Sequence, residues 1–186
     1  MNLNTLKDLY VDVLKDLYDA ENQILKALPK MAKAASSTEL QEGFQEHLQQ
    51  SEGHVERLDQ VFEFAGEPAK RKKCRAMEGL LEEGKELLES DSDPEVLDAG
   101  MIAAAQKVEH YEIAGYGCAR AYAQLLGENE AVELLQQTLD EERRADEKLT
   151  ELAMSQINLA AEEGKQAASE GRAARKRSTA KAQARR

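Results

Sequence analysis

Apolar residues recur three and four positions apart along most of the chain, the spacing of one face of an α-helix. Over residues 3–34 the stripe is Leu6, Leu9, Tyr10, Val13, Leu14, Leu17, Ile24, Leu25, Leu28 and Met31. Pro29 falls inside it and is expected to bend or briefly break the last turn. Ser36 with Glu39 has the form of a capping box. It opens a second helix over about 38–65, with Leu40, Phe44, Leu48, Leu58, Val61, Phe62 and Ala65 on one face and Gly66-Glu67-Pro68 as the stop. A shorter helix near 74–89 is built on Met77, Leu80, Leu81, Leu87 and Leu88. Asp93 as N-cap and Pro94 in first position start a third long helix over about 95–126, with Gly127 just beyond its end. Asn129 is expected to cap the fourth, over about 130–162, with Leu134, Leu135, Leu139, Leu149, Leu152, Ile157 and Leu159.

Four helices of roughly 28–33 residues are each about 42–50 Å long. Short links make the first and second helices, and the third and fourth, antiparallel neighbours. About 28 residues separate the second from the third, enough to cross one helix length. The expectation is an all-α four-helix bundle, up-down-down-up, with the short extra helix in the long crossover. Composition agrees: aromatics are 4%, Pro 3 and Gly 11 of 186 residues, which disfavours an all-β fold. No run is long and apolar enough for a transmembrane helix, and the N-terminus MNLNTLKDLY lacks the basic head and apolar core of a signal peptide. Cys74 and Cys118 form neither a zinc pattern nor a CxxC pair. A cytoplasmic, membrane-free protein is expected.

Charge divides the chain in two. Residues 164–186 hold eight basic residues and one acid, so residues 1–163 carry about −18 of the overall −11. The expected domains are a bundle over 1–163 and a basic, disordered tail over 164–186. The tail, with RAARKRSTAKAQARR, resembles basic arms that bind nucleic acid without reading its sequence. Its plainer reading is a solubilising end.

The chemistry lies where the stripes are interrupted. Glu21 replaces an apolar residue on the line Leu14, Leu17, Ile24, Leu28. His47 and His54 do the same on the line Leu40, Phe44, Ser51, Leu58, with Gln50 beside them. Glu109 and Glu112 interrupt the third long helix; Glu142 interrupts the fourth, with Asp146 one turn on. All fall near mid-helix, so a bundle places them in one layer. Several carboxylates there cannot stay ionised and unpaired, and no Lys or Arg lies on these lines. Two divalent cations would neutralise them, and oxygen-rich ligation with imidazole suits iron or manganese. The predicted ligands are Glu21, His47, Gln50, His54, Glu109, Glu112, Glu142 and Asp146. His110 points off the inner line, Glu141 and Glu52 read as solvated surface acids, and Tyr18 and Tyr116 read first as core filling, with donors to the carboxylates or redox-active neighbours as the alternatives.

The stretches LYDAENQILKALPKMAKAA, FQEHLQQSEGHVERLDQVF, MEGLLEEGKELL, IAAAQKVEHYEIAGYG and LLQQTLDEERRADEKLTELA resemble the ferritin-like di-iron carboxylate superfamily. Within it they are similar to the bacterial YciF/YciE stress-associated family, formerly a domain of unknown function, over about residues 3–160. The resemblance implies a homodimeric bundle in a general or osmotic stress context, without a defined substrate. The superfamily carries Glu, ExxH, Glu and ExxH on its four helices. Here Glu21 matches the first; the second has His47-x-x-Gln50 with His54; the third has Glu109-x-x-Glu112; the fourth has Glu142 with Ala145 where the histidine would stand. Two functions are expected from this pattern: a dinuclear Fe or Mn protein reacting with peroxide or O2, or a non-enzymatic dimeric stress protein with a tail that contacts DNA. An iron-storage cage is a third.

Overall fold

A computed structural model describes residues 3–163. Its elements are α1 (Leu6–Ala34), α2 (Thr38–Phe64), α3 (Arg75–Leu88), α4 (Pro94–Leu126) and α5 (Asn129–Leu152), then a π-helical turn over Ala153–Ile157 that continues as helix to residue 163. There is no strand among the described residues. The expected all-helical fold and its short extra helix are both present. The basic tail expected over 164–186 lies outside the described residues.

Local chemistry sets the helix ends, in places differently from the sequence pattern. Thr5 and Asp8 close α1 with a capping box: the Asp8 N–H donates to Thr5 Oγ1 at 3.1 Å, and Asp8 Oδ2 accepts the Thr5 N–H at 2.9 Å. The expected break at Pro29 does not occur, and α1 runs on to Ala34. Pro29 is on the exposed side, where water can serve the carbonyl that loses its N–H partner. The cap of α2 is Ser37, whose Oγ accepts the Leu40 N–H at 3.3 Å, and not Ser36. Ser36 is held elsewhere. Its N–H and hydroxyl donate to Asp98 at 2.9 and 2.6 Å, and the Ser37 N–H donates to the same carboxylate at 2.8 Å. Asp98, buried on α4, thereby ties the α1–α2 turn to the start of that helix. Gly127 takes the left-handed conformation, φ 77°, that ends α4. Asn129 is already helical, and the cap position of α5 is Glu128, which pairs with Lys7.

Side-chain pairs give the helix directions. From Lys7–Glu128 through Glu21–Tyr116 to Ser36–Asp98, numbers rise on α1 as they fall towards the start of α4, so these helices are antiparallel. Glu46 with Lys148 and Arg57 with Thr138 show the same for α2 and α5. The short helix α3 lies against α1 and α4, where Lys107 reaches Glu83 at 2.7 Å.

The apolar interior is in two pieces. One surrounds Ile24, Leu28, Phe44, Met77, Met101 and Leu149. The other surrounds Tyr10, Leu14, Leu17, Leu58, Phe62 and Leu135. Apart from Ala20, which belongs to the first cluster but sits directly beside Glu21, the first cluster lies to one side of the polar interruption on every long helix and the second to the other. The core is two half-cores with a polar layer between them.

Two glycines let helices approach closely. A Cβ on Gly115 would stand 2.7 Å from Leu17 Cδ2, and one on Gly100 2.8 Å from Leu87 Cδ2. Leu17 is fully enclosed, whereas Leu87 is half-buried on α3 and can turn outward. Gly115→Ala is therefore expected to cost about 1–3 kcal/mol by overpacking. Gly100→Ala should fall within about 1 kcal/mol of neutral, because the gain in helix propensity offsets the displacement. Urea unfolding of the two variants checks the contrast.

Candidate metal centre

Each long helix contributes to the polar layer at the point where its apolar stripe is interrupted. α1 supplies Glu21, α2 supplies His47 and His54, α4 supplies Glu109 and Glu112, and α5 supplies Glu142. All six are buried. His47 and His54 are seven positions apart, two turns of one face, with Ser51 between them, also buried.

The six form two groups. In the first, ligand-type atoms of His47, Glu109, Glu112 and Glu142 lie within 4.8 Å of one another. In the second the same holds for Glu21, His54 and Glu142. Glu142 belongs to both. His47 Nε2 is 3.4 Å from Glu109 Oε1 and 3.9 Å from Glu142 Oε2. His54 Nδ1 is 2.8 Å from Glu142 Oε1 and 3.2 Å from Glu21 Oε1. These approaches are short but poorly aligned for hydrogen bonds. His54 Nδ1, both nitrogens of His47, both oxygens of Glu112 and of Glu142, and one oxygen each of Glu21 and Glu109 have no hydrogen-bond partner. Buried polar atoms without partners are costly and rare. A concentration of them, all of metal-ligating type and gathered in two groups that share Glu142, is what a pair of divalent cations would satisfy.

Groups around the layer hold it in place. The Tyr116 hydroxyl donates to Glu21 Oε1 at 2.5 Å. On the far side of its ring, His54 Nε2 is 3.0 Å from Glu141 Oε2. Arg57 donates from Nη2 to the same carboxylate and from Nε to Thr138 Oγ1 at 2.9 Å. Glu141 can thus accept a proton-bearing Nε2 and leave Nδ1 turned into the layer.

The electrostatics follow from burial. Burial, and then the neighbouring charge of Glu142, pushes Glu109 well above the usual carboxylate range. Burial, then Glu21, Glu142 and Glu109, does the same to Glu112. Burial opposes ionisation of Glu142 too, but the approach and charge of His54, with His47 behind it, hold its carboxyl below the ordinary value. For His54, burial works against the imidazolium, yet Glu142 and Glu21 outweigh it and push the ring up to about 10.

Of the eight residues expected to ligate, the structure draws six together: Glu21, His47, His54, Glu109, Glu112 and Glu142. Gln50 is half-buried in the wall of a cavity beside His47. Asp146 stands outside both groups; it accepts from Gln106 Nε2 at 3.0 Å and lies 3.4 Å from exposed His110. The expectation that Glu141 is a solvated surface acid is corrected, since its side chain is 17% exposed and pairs with Arg57 and His54. Tyr116 is a donor to the layer and not mere filling, while Tyr18 packs edge-on against Phe62. Arg57 escaped the sequence reading because it sits one turn past His54 on the rim of the inner face, where its stem is covered and its head reaches Glu141. Cys74 is buried 3.0 Å from the Tyr111 hydroxyl and caps α3, and Cys118 is exposed.

A bundle of long helices with a histidine–carboxylate cluster closed between two half-cores is the class of protein this geometry defines. The chain belongs to the family described as Domain of unknown function (DUF892), which matches residues 5–162. Protein YciF of Escherichia coli K12 is 48% identical over 163 residues, which is 87% of this chain and 98% of that protein. The crystal structure of the E. coli protein, described as a stress protein, superposes with a TM-score of 0.81 over 84% of this chain and 99% of that one. YcfI of Rhodopseudomonas palustris is 43% identical, with a TM-score of 0.78 over 80% of this chain and 95% of that one. A Xanthomonas campestris protein, 20% identical, shares the fold with a TM-score of 0.71 over 87% and 99%.

The pKa directions fix a pH dependence for the chelated protein. His54 is raised, so its contribution to stability is complete below the ordinary value of 6.5 and is lost as pH rises towards about 10. Glu109 and Glu112 are also raised, so ionising them weighs on the folded state as pH rises from 4.5 upward. Glu142 is lowered and changes stability only as pH falls below 4.5, outside this window. The thermal midpoint in excess chelator is therefore expected to fall steadily between pH 6.5 and pH 9.5. Glu112→Gln should raise the midpoint and flatten the slope. A midpoint that rises over this range would contradict the charge balance described.

Proposed function

We propose that this protein is a ferritin-like metalloprotein, its four long helices in up-down-down-up order, with two divalent iron or manganese ions in the mid-bundle layer. The observation that carries this reading is Glu142, a buried carboxylate with both oxygens unpartnered, shared by two ligand-type groups most of whose other polar atoms also lack partners. Among the described residues no lysine or arginine pairs with any of the six. Carboxylate oxygens with one imidazole per group fit hard-to-borderline ions such as iron and manganese. Neither thiol belongs to either group. Bound there, the ions would supply electrons to peroxide or O2, which suits a role in limiting oxidative damage. The protein's own part is to hold and orient. Tyr116 donates to Glu21, Glu141 fixes the ring of His54, and the packing on either side encloses the Glu21–His54 group. The description of E. coli YciF as a stress protein is consistent with such a role.

The test is elemental analysis of freshly purified full-length protein. Two iron or manganese ions per chain are expected. Glu142→Ala should lose both, because it serves both groups, and Glu109→Ala should lose about one. Metal-free protein whose melting is unmoved by added Fe(II) or Mn(II) would overturn the reading and leave a non-enzymatic, dimeric stress protein in its place. The net charge of about +7 over 164–186 supports a separate contact through residues 165–186 with nucleic acid. Filter binding of duplex DNA should weaken at least tenfold between 50 and 200 mM salt and vanish when 165–186 are removed.

A further inference from the structure

The two groups differ in their access to solvent. A cavity of about 330 Å³ lies in the gap between α2 and α5, and His47 and Glu109 form part of its wall. None of Glu21, His54, Glu112 or Glu142 lines it. The cavity is also polarised along its length. Because α2 and α5 are antiparallel, the level of Gln50 on α2 faces Glu141 and Ala145 on α5, and this end adjoins the cluster. At the other end Leu40 and Phe44 face Leu149 and Leu152, with the exposed Glu39 at the rim. Arg144 and Lys148, one turn apart, stand along its α5 margin; Lys148 meets Glu46, and Arg144 donates from Nε to the Asp140 carbonyl of its own helix at 3.0 Å. A water molecule takes about 30 Å³ in the liquid, so peroxide or O2 would fill only a small part of this space.

We infer that the cavity is a binding site for a medium-chain amphiphile, its oxygen-donor head at the His47–Glu109 end and its hydrocarbon body along Leu40, Phe44, Leu149 and Leu152. The inference rests on the metal reading only for the head; the apolar end stands on the cavity itself. The occupant belongs to the carboxylic acids and related oxygen-headed alkyl compounds, and octanoate is a fitting probe. The His47 group is the one such a molecule meets, while the Glu21–His54 group stays closed behind Glu142.

Gly43 offers a way to block the site without touching the cluster. It lines the cavity, and a Cβ there would meet nothing within 4 Å. Gly43→Leu fills the space while improving helix propensity. Calorimetry on Mn(II)-loaded full-length protein should show octanoate binding at least tenfold tighter than acetate, the return on burying about two methylenes. Gly43→Leu, and independently Leu152→Asn at the apolar end, should abolish that advantage with manganese content unchanged. Octanoate no tighter than acetate, or an advantage that survives both substitutions, would overturn the inference. The same comparison with 1-octanol and ethanol on chelated protein, followed by amide shifts of residues 40–50, reads the apolar end without any metal. A positive result there beside absent metal refutes the metal centre alone; octanol no tighter than ethanol refutes the cavity.

Discussion

Six ionisable side chains share the interior of this bundle with two apolar half-cores, and the rest of the structure is arranged around what that costs. A carboxylate taken out of water must find a proton, a cation or a set of donors. Here protons are favoured on Glu109 and Glu112, His54 stands as counter-charge to Glu142, and a single tyrosine hydroxyl serves Glu21. Those provisions are incomplete, as the unpartnered oxygens and nitrogens of the layer show. The packing on either side gives the layer no freedom to relax. Leu17 and Leu58 on one side, and Ile24 and Phe44 on the other, are nearly or fully enclosed and hold the helices at fixed rotation.

The surroundings of the layer are uneven. Around His54 the structure is closed and densely bonded, from Tyr116 through Glu21 and outward through Glu141 to Arg57 and Thr138. Around His47 it is sparse, since both ring nitrogens lack partners and the ring borders a cavity. One half of the layer is therefore built to hold still and the other to be approached. This division follows from level along α2: His54 lies where α5 is in close contact, and His47, two turns earlier on the same face, lies beside the gap.

Much of this was legible in the chain. Helices with apolar stripes leave little choice about which residues face inward, so a glutamate or histidine on the stripe announces itself, as Glu21, His47, His54, Glu109, Glu112 and Glu142 did. What the pattern could not show was chemistry at the margin of the stripe. Glu141 differs from Glu142 by one position and about 100° of helix rotation, and only the reach of Arg57 and His54 makes it more than a surface acid. Asp98 is buried because the Ser36–Ser37 turn folds back on it, a tertiary event with no periodic signature. The far end of the last helix departs from its stripe for a backbone reason. The π turn at Ala153–Ile157 adds a residue, so Ile157 takes the inward place that α-periodicity would give Gln156, and Leu159 turns out to water.

Glu142 also constrains how such a molecule can change. Sites that merely sit side by side can drift apart under selection, one retained while its neighbour decays. Two groups hinged on the same side chain have no such independence at that position, because any replacement of Glu142 that suits one must be tolerated by the other. A lineage that altered Glu142 would therefore forfeit both at once, and only a change elsewhere in the layer would leave a singleton standing.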